Sequence, residues 1–129
     1  MMLSSSKLTA FVSTTNAGRA RAFYRDTLGL RLVSEDNFAL QFDCGGTPLR
    51  VSIAPDVIPA KYTVLGWGVE DIRATLLALQ NAGVRFERFG FMQQDELGIW
   101  TAPGGTRVAW FKDQDGNLLS ISQHPAAAV

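Results

Sequence analysis

One order of elements occurs twice in this sequence, and that repeat limits the folds the chain can adopt. Each pass predicts a strand, a helix that a glycine ends, and further strands; the two glycines, Gly29 and Gly83, lie 54 residues apart (83 − 29). The tripeptide LGL at 28–30 corresponds to AGV at 82–84. Few residues are identical between the two passes, so the inference of a repeat depends on the order of elements. We predict an α+β fold of two βαβββ modules that form curved mixed sheets. Because each unit alone leaves one sheet face uncovered, the two units are expected to pair, and their concave faces then enclose a pocket.

The first module is predicted over about 7–54. Alternating residues at 8–14 indicate the first strand, and Asn16 suits a helix N-cap. Ala20, Phe23 and Tyr24 recur at helical spacing, which predicts a helix over about 17–27 that Gly29 ends. Three more strands are predicted at 30–34, 38–42 and 49–53.

The second module is predicted over about 61–123, after a linker at 54–60 that contains two prolines. Glu70 or Asp71 can cap a helix over 72–82, between strands at 63–69 and 84–89. The closing stretch from Gly98 to Gln123 predicts a meander of strands at 99–102, 106–111 and 118–122. Its turns are marked by a Pro-Gly-Gly sequence at 103–105 and by Asp115-Gly116. Both modules together are predicted to form a single domain, residues 1–129.

Composition narrows the function. Of the 129 residues, 47% are hydrophobic and 19% are charged, which is typical of a globular protein. The formal net charge is zero, so the basic face that nucleic-acid binding needs is not expected. The sequence contains neither a membrane span nor a signal peptide, which predicts no membrane partner and a cytoplasmic location. A single cysteine, Cys44, excludes an intrachain disulfide.

Three motifs resemble the vicinal oxygen chelate superfamily, which includes glyoxalases, bleomycin-resistance proteins, fosfomycin resistance enzymes and extradiol dioxygenases. Residues 23–30, FYRDTLGL, resemble its FY-x-x-x-LG signature, and 69–72 with 79–84 resemble the helix of its second module. Residues 109–117, AWFKDQDGN, resemble its F-x-D-P-D-G-N turn, with Gln114 in place of the usual proline. The resemblance covers about 7–123 and implies paired βαβββ modules in a glyoxalase-like domain, in most relatives homodimeric.

The resemblance also implies where a catalytic metal would be held, by His, Gln or Glu on the first and last strands of each module. Carried onto this sequence, those positions fall on Thr9, Val64 and Ser120, and on either Arg50 or Ser52. Valine cannot coordinate a metal, hydroxyls are weak ligands, and an arginine repels a divalent cation. We therefore predict no metal and no other cofactor.

With the metal positions lost, the inward-facing side chains predict a small-molecule site instead. Its candidate residues are aromatic or hydrogen-bonding: Thr9, Phe11, Phe38, Arg50, Ser52, Trp100, Trp110, Ser120 and Ser122. Arg50 could bind an anionic ligand group, pair with an acid such as Asp95 or Glu96, or face solvent.

The favoured hypothesis is a metal-free protein that sequesters a small planar or aromatic compound. Zero net charge favours a neutral compound over a cationic one such as bleomycin. The alternative is a metal-dependent lyase, isomerase or dioxygenase, which would need another strand register or a metal held by Asp95, Glu96 or His124. A third hypothesis is a domain that acts through dimerisation and has no ligand. No nucleophile–base pair is visible, so the sequence names no catalytic residue.

Overall fold

A computed structural model describes residues 2–126; Met1 and residues 127–129, which the predicted domain of 1–129 includes, lie outside the described residues. The chain divides into two compact units, one ending at Pro59 and the other beginning at Ala60. The first has a four-stranded sheet in the order β1-β4-β3-β2, and the second a four-stranded sheet in the order β5-β8-β7-β6. The strands of the first unit are β1 (Ala10–Thr14), β2 (Arg31–Glu35), β3 (Ala39–Cys44) and β4 (Thr47–Ile53). Those of the second unit are β5 (Leu65–Gly68), β6 (Trp100–Thr101), β7 (Arg107–Lys112) and β8 (Leu118–Gln123).

Both sheets are mixed in the same way. The outer strand pairs in parallel with the last strand of its unit, β1 with β4 and β5 with β8. The remaining neighbours pair antiparallel. The predicted α+β fold of two repeated modules is therefore confirmed, because each unit contains the strand, helix and three strands that the repeat implied.

The first helical stretch begins and ends where its sequence signals lie. The side-chain oxygen of Asn16 accepts a hydrogen bond from the backbone N–H of Arg19 at 2.9 Å, and α1 (Ala17–Arg21) follows. The chain then widens into a π-helix, Ala22–Thr27, which the spacing of apolar residues did not predict. Gly29 follows at φ 76°, the left-handed conformation that ends many helices.

Helix and sheet of the first unit bury one side of β1, β3 and β4. Tyr24 is fully buried, and its ring lies 5.9 Å from that of Phe42 on β3. The inward side chains of the strands are buried around them: Val12, Thr14, Leu40, Leu49 and Val51. The opposite side of this sheet is left open.

The second helix, α2 (Ile72–Asn81), is capped by Asp71 and not by Glu70. A side-chain oxygen of Asp71 accepts a hydrogen bond from the backbone N–H of Ala74 at 3.0 Å. Ile72 and Leu76 are fully buried and face a sheet core that includes Phe111 and Leu119. No helix among the described residues is long and apolar enough to cross a membrane.

The prediction of a strand at 84–89 is wrong. This segment touches the sheet at one isolated bridge, between Phe86 and Phe111. A side chain replaces the missing ladder: Gln94 accepts from the backbone N–H of Phe89 at 2.8 Å and donates to the carbonyls of Glu87 and Gly98 at 3.0 and 2.8 Å. These bonds, together with one from the backbone N–H of Glu87 to the carbonyl of Trp110 at 2.7 Å, satisfy the backbone without a continuous ladder, and the three strands after α2 are β6, β7 and β8.

Candidate functional site

Each sheet has an open face, and the strand register shows which residues share it. In the first unit Phe11 on β1 lies opposite Arg50 on β4, and Arg50 lies opposite Gln41 on β3. Residues directly opposite on neighbouring strands point to the same side of a sheet. Phe11 is 61% exposed, whereas the alternating residues Val12 and Val51 are buried. Phe11, Arg50 and Gln41 therefore stand in a row across the open face.

The register also decides between Arg50 and Ser52 at one predicted ligand position. Leu49 lies opposite Ala10 in the first unit, and Leu119 lies opposite Leu65 in the second. The residues that follow these two leucines are therefore equivalent to each other, so Arg50 is the counterpart of Ser120. Ser52, which lies opposite Ser13, is the counterpart of Ser122, opposite Gly68.

The residues at the positions predicted for metal ligands are weak ligands or none at all, whatever their placement. Val64 precedes β5, and its side chain has no atom that could bind a metal. Its backbone N–H donates to the carbonyl of Leu118 at 3.0 Å. Ser120 lies opposite Gly66, where an added Cβ would come within 2.4 Å of its hydroxyl oxygen. The glycine thus makes room for a serine hydroxyl, a weak ligand by itself. Thr9 lies just before β1 and is exposed.

The alternative metal donors have other partners. A side-chain oxygen of Asp95 accepts from the backbone N–H groups of Leu97 and Ile99 at 3.0 and 2.9 Å. Glu96 lies 2.9 Å from Arg73, and Asp95 lies 3.6 Å from the same guanidinium. Within residues 2–126, no three His, Cys, Asp or Glu side chains lie together in a way that could hold a metal.

The open face of the second sheet is aromatic. Trp100 lies opposite Val108, and Trp110 lies opposite Ser120, so both indoles share a face with Ser120 and Ser122. The two indole rings are 6.2 Å apart, and the ring of Phe89 meets that of Trp110 edge to face at 5.6 Å.

Further contacts extend and hold this aromatic group. Phe91 lies 5.8 Å from Phe89. The indole nitrogen of Trp110 donates to the hydroxyl of Thr63 at 3.0 Å, which holds its ring in place. We call Phe89, Phe91, Trp100 and Trp110 the aromatic cluster.

A cavity borders each of these two faces. The larger, about 610 Å³, lies beside the aromatic cluster and is lined by Trp100 together with Ile99, Thr101 and residues 92–95. The smaller, about 390 Å³, lies on the first sheet and is lined by Gln41 and Pro48 together with residues of β2 and β3. Both volumes fall within the range of small-molecule sites.

Charges on the first sheet are unevenly paired. Arg21 and Glu35 form a two-pronged ion pair on the helix side, and Arg31 lies 3.7 Å from Asp43. None of the ion pairs found among residues 2–126 includes Arg50.

Asp36 is the acid whose titration Arg50 influences. The pKa of Asp36 lies below its ordinary value, first because its carboxylate accepts from the backbone N–H groups of Phe38 and Ala39, and to a smaller extent because of the charge of Arg50. The carboxylate of Asp36 is thus held mainly by two backbone donors, and it interacts with the charge of Arg50 without forming an ion pair with it.

Not every predicted site residue joins a group. Trp100, Trp110, Ser120 and Ser122 are brought together, as are Phe11, Arg50 and Ser52 with Ser13. Phe38 lies in the turn before β3, where it is 72% exposed. Gln41 and Phe89 were missed. Alternation along β3 could have identified Gln41, because it lies between the apolar residues Leu40 and Phe42, but Phe89 was assigned to a strand that does not form.

Comparison with known proteins places the chain in a family. The model of the Glyoxalase/Bleomycin resistance protein/Dioxygenase superfamily matches residues 8–121. The chain therefore belongs to this superfamily, and the resemblance inferred from its motifs is confirmed. Among proteins with curated descriptions, none matches the sequence.

Solved structures with the same fold include a glyoxalase/bleomycin resistance protein/dioxygenase from Alicyclobacillus acidocaldarius, with 16% identity, a TM-score of 0.72 and coverage of 96% of this chain and 95% of that one. A lactoylglutathione lyase from Agrobacterium tumefaciens matches with 17% identity, a TM-score of 0.71 and 92% and 93% coverage. A genomically encoded fosfomycin resistance protein, FosX, from Listeria monocytogenes matches with 11% identity, a TM-score of 0.72 and 95% coverage of both chains. At these identities the likeness concerns the fold alone.

Proposed function

We propose that this chain is a small-molecule binding protein of the superfamily, which sequesters a planar or aromatic compound without a metal. The observation that carries the proposal is the aromatic cluster beside a cavity of about 610 Å³, with the hydroxyls of Ser120 and Ser122 on the same face. Flat rings stack on indoles, and hydroxyls orient a ligand through hydrogen bonds. The hydrogen bond from Trp110 to Thr63 supports the proposal, because an indole held in place loses little entropy when a ring packs on it.

The residue types at the family's ligand positions support the metal-free part of the proposal. A metal of this kind needs about three strong nitrogen or oxygen donors, and valine, arginine and serine do not supply them. Two of the similar structures are named as a lactoylglutathione lyase and a fosfomycin resistance protein. For this chain we favour binding over the lyase chemistry of the first, because Asp95, the one acid that lines the cavity, already accepts from two backbone N–H groups and lies 3.6 Å from Arg73.

The proposal is tested by fluorescence titration of the purified protein with a panel of planar aromatic compounds. A compound that binds is expected to change the tryptophan emission, since Trp100 lines the cavity and the ring of Trp110 lies 6.2 Å from that of Trp100. Trp110→Leu should weaken that binding by roughly 2- to 12-fold, the worth of one aromatic pair. Leu77→Ala, on the exposed side of α2, is the matched control and should leave the affinity unchanged. If no compound in the panel binds, or if both variants bind alike, the proposal is wrong.

Metal binding discriminates the alternative, a metal-dependent lyase, isomerase or dioxygenase. Untagged protein is analysed for metal content and then titrated calorimetrically with Zn²⁺, Ni²⁺, Mn²⁺ and Fe²⁺. We expect no uptake at micromolar concentration. One metal bound tightly per chain would overturn the metal-free assignment at Val64 and Ser120, and glyoxalase and ring-cleaving activities would then be assayed.

We further propose that the two modules act as one glyoxalase-like domain and that the chain forms a homodimer, as the family resemblance implies. All three tryptophans, Trp67, Trp100 and Trp110, lie after Ala60, so their fluorescence follows the second unit alone. Circular dichroism follows both units. Coincident urea transitions by the two probes are expected for one cooperative domain, and light scattering should give twice the mass of the chain.

A further inference from the structure

We infer that the open face of the first sheet is a second binding site, distinct from the aromatic cluster, and that it takes an aromatic acid: Arg50 binds the carboxylate while the ring packs on Phe11. The inference goes beyond the proposed function, whose site is the aromatic cluster of the second unit. The net charge of the chain suggested a neutral ligand. An anionic ligand is inferred instead, because a ligand interacts with the charges of the face that binds it and not with the net charge of the whole chain.

The neighbours of Arg50 form a site for a ring with a polar end. Phe11 lies directly beside it on β1, where its ring is 61% exposed. On the other side Gln41 presents an amide that has no hydrogen-bond partner among residues 2–126. Ser52, two residues along the same strand, adds a hydroxyl. A ligand can therefore contact an aromatic ring, a guanidinium and an amide within three adjacent strands.

The acids near this face already have partners. Asp43 pairs with Arg31 at 3.7 Å, and the carboxylate of Asp36 accepts from two backbone N–H groups. Asp95 and Glu96, which the sequence offered as partners for Arg50, pair with Arg73 in their own unit. Among the described strand residues that share the face, the two arginines and one aspartate leave one positive charge in excess.

A half-buried guanidinium that forms no ion pair among residues 2–126 favours an anionic ligand, because the anion neutralises a charge that has lost part of its hydration. One uncompensated charge matches a carboxylate better than a phosphate dianion. The shape of the guanidinium also favours a carboxylate, since the planar fork of arginine can donate two parallel hydrogen bonds to the two carboxylate oxygens. The register adds a structural reason: Arg50 occupies the counterpart of Ser120, so a protein-bound cation stands at a position where the resemblance implies a metal ligand.

The experiment compares an acid with its amide. The wild-type protein is titrated calorimetrically with 2-naphthoic acid, 2-naphthamide and cyclohexanecarboxylic acid at pH 7 and low salt. We expect 2-naphthoate to bind about tenfold or more tightly than the other two, because it alone offers both an aromatic ring and a charge. Raising the salt concentration should weaken the binding of the acid and leave that of the amide unchanged.

Variants then locate the charge. Arg50→Gln should weaken 2-naphthoate binding about tenfold and leave 2-naphthamide unaffected. Arg50→Lys keeps the charge without the fork, and it should recover part of the affinity. Arg31→Gln is the control on the same face, since Arg31 already pairs with Asp43. Thermal unfolding verifies that each variant is folded.

The outcomes separate this inference from the proposed function. If the amide binds as tightly as the acid, or if Arg50→Gln binds the acid like the wild type, the carboxylate site is wrong although the protein still binds aromatic compounds. If neither naphthalene compound nor any member of the aromatic panel binds the wild type, the proposed function itself is wrong. Equal loss in Arg31→Gln and Arg50→Gln would assign the effect to the general charge of the face and overturn the specific role of Arg50.

Discussion

Arg50 on the first sheet and Ser120 on the second occupy equivalent positions in the strand register, but one is an arginine and the other a serine. Phe11 lies beside Arg50 in the first unit, and Gly66 lies beside Ser120 in the second. A Cβ at Gly66 would come within 2.4 Å of the serine hydroxyl oxygen, so any other residue there would displace this hydroxyl from its present position. The aromatic surface of the second unit comes from other strands and from the loop before β6. The duplicated backbone thus preserves positions, while the chemistry of each open face is set by a few side chains.

A second difference separates the open faces from the buried faces. The buried faces of both sheets are apolar, with Tyr24 and Phe42 in the first unit and Phe111 and Leu119 in the second. Burial of this kind supplies most of the stability of a domain. The open faces carry the side chains that differ between the units, so the residues that stabilise the fold and those of the proposed binding sites lie on opposite sides of each sheet.

The largest expected effect contrasts two phenylalanines on opposite faces. Phe111→Ala removes a fully buried ring and should lower the free energy of unfolding by about 3–5 kcal/mol. Phe11→Ala removes a ring that is 61% exposed and should change it by less than about 0.5 kcal/mol. Urea unfolding followed by circular dichroism measures both. Similar losses in the two variants would mean that Phe11 belongs to a core and is not available to a ligand.

An intermediate effect contrasts the turns that join the last two strands of each unit. Between β7 and β8, Asp113 accepts from the backbone N–H groups of Asp115 and Asn117, each at 2.9 Å, and from the amide of Asn117 at 2.8 Å. Asp113→Ala leaves these donors unpaired and should lower the free energy of unfolding by about 1–3 kcal/mol.

The corresponding turn between β3 and β4 uses backbone conformation instead. Gly46 adopts a φ of 92°, so Gly46→Ala should lower the free energy of unfolding by about 1 kcal/mol through strain alone. Urea unfolding of both variants at pH 7 makes the comparison. A larger loss for Gly46→Ala than for Asp113→Ala would contradict the view that side-chain hydrogen bonds hold the second turn.

The smallest expected effect concerns acid stability. The hydrogen bond and charge of Arg21 hold the pKa of Glu35 below its ordinary value of 4.5. Because the pKa is lower in the folded state, the stabilisation is present above pH 4.5 and is lost as the pH falls through the folded pKa. Glu35→Gln should therefore lose a small stabilisation at pH 7 and show a shallower decline below pH 4.5 than the wild type.

Urea midpoints measured from pH 3 to pH 7 follow this difference. Glu96 provides the comparison in the second unit, since its own backbone N–H and then Arg73 hold its pKa below 4.5. Glu96→Gln should behave in the same way. Parallel pH curves for the wild type and Glu35→Gln would show that the ion pair with Arg21 adds nothing to stability.

Much of the fold could be predicted because its signals are local. Asn16 and Gly29 bound the first helical stretch through a cap and a left-handed φ, and both depend only on neighbouring residues. The π-helix at Ala22–Thr27 was not predictable from spacing. The strand predicted at 84–89 does not form, although its apolar residues suit a strand. The side chain of Gln94 makes hydrogen bonds to the backbone around this segment, and the sequence pattern does not reveal them.

The candidate site was predictable in part. Alternation along β8 placed Ser120 and Ser122 on one face, but the facing of Trp100 and Trp110 depended on the pairing of β6, β7 and β8. The choice between Arg50 and Ser52 required a register between β1 and β4, which no local pattern specifies.

By itself, then, the sequence determined the class of fold, the repeat of its modules and the family, because caps, turns and periodicity act over a few residues. It also determined that Val64 cannot hold a metal, since that depends on residue type alone. Only the tertiary structure decided which side chains meet: Arg50 with Phe11 and Gln41, and Trp100 with Trp110. Contacts across strands depend on register and on which partners distant groups have already taken, as when Arg73 pairs with Asp95 and Glu96.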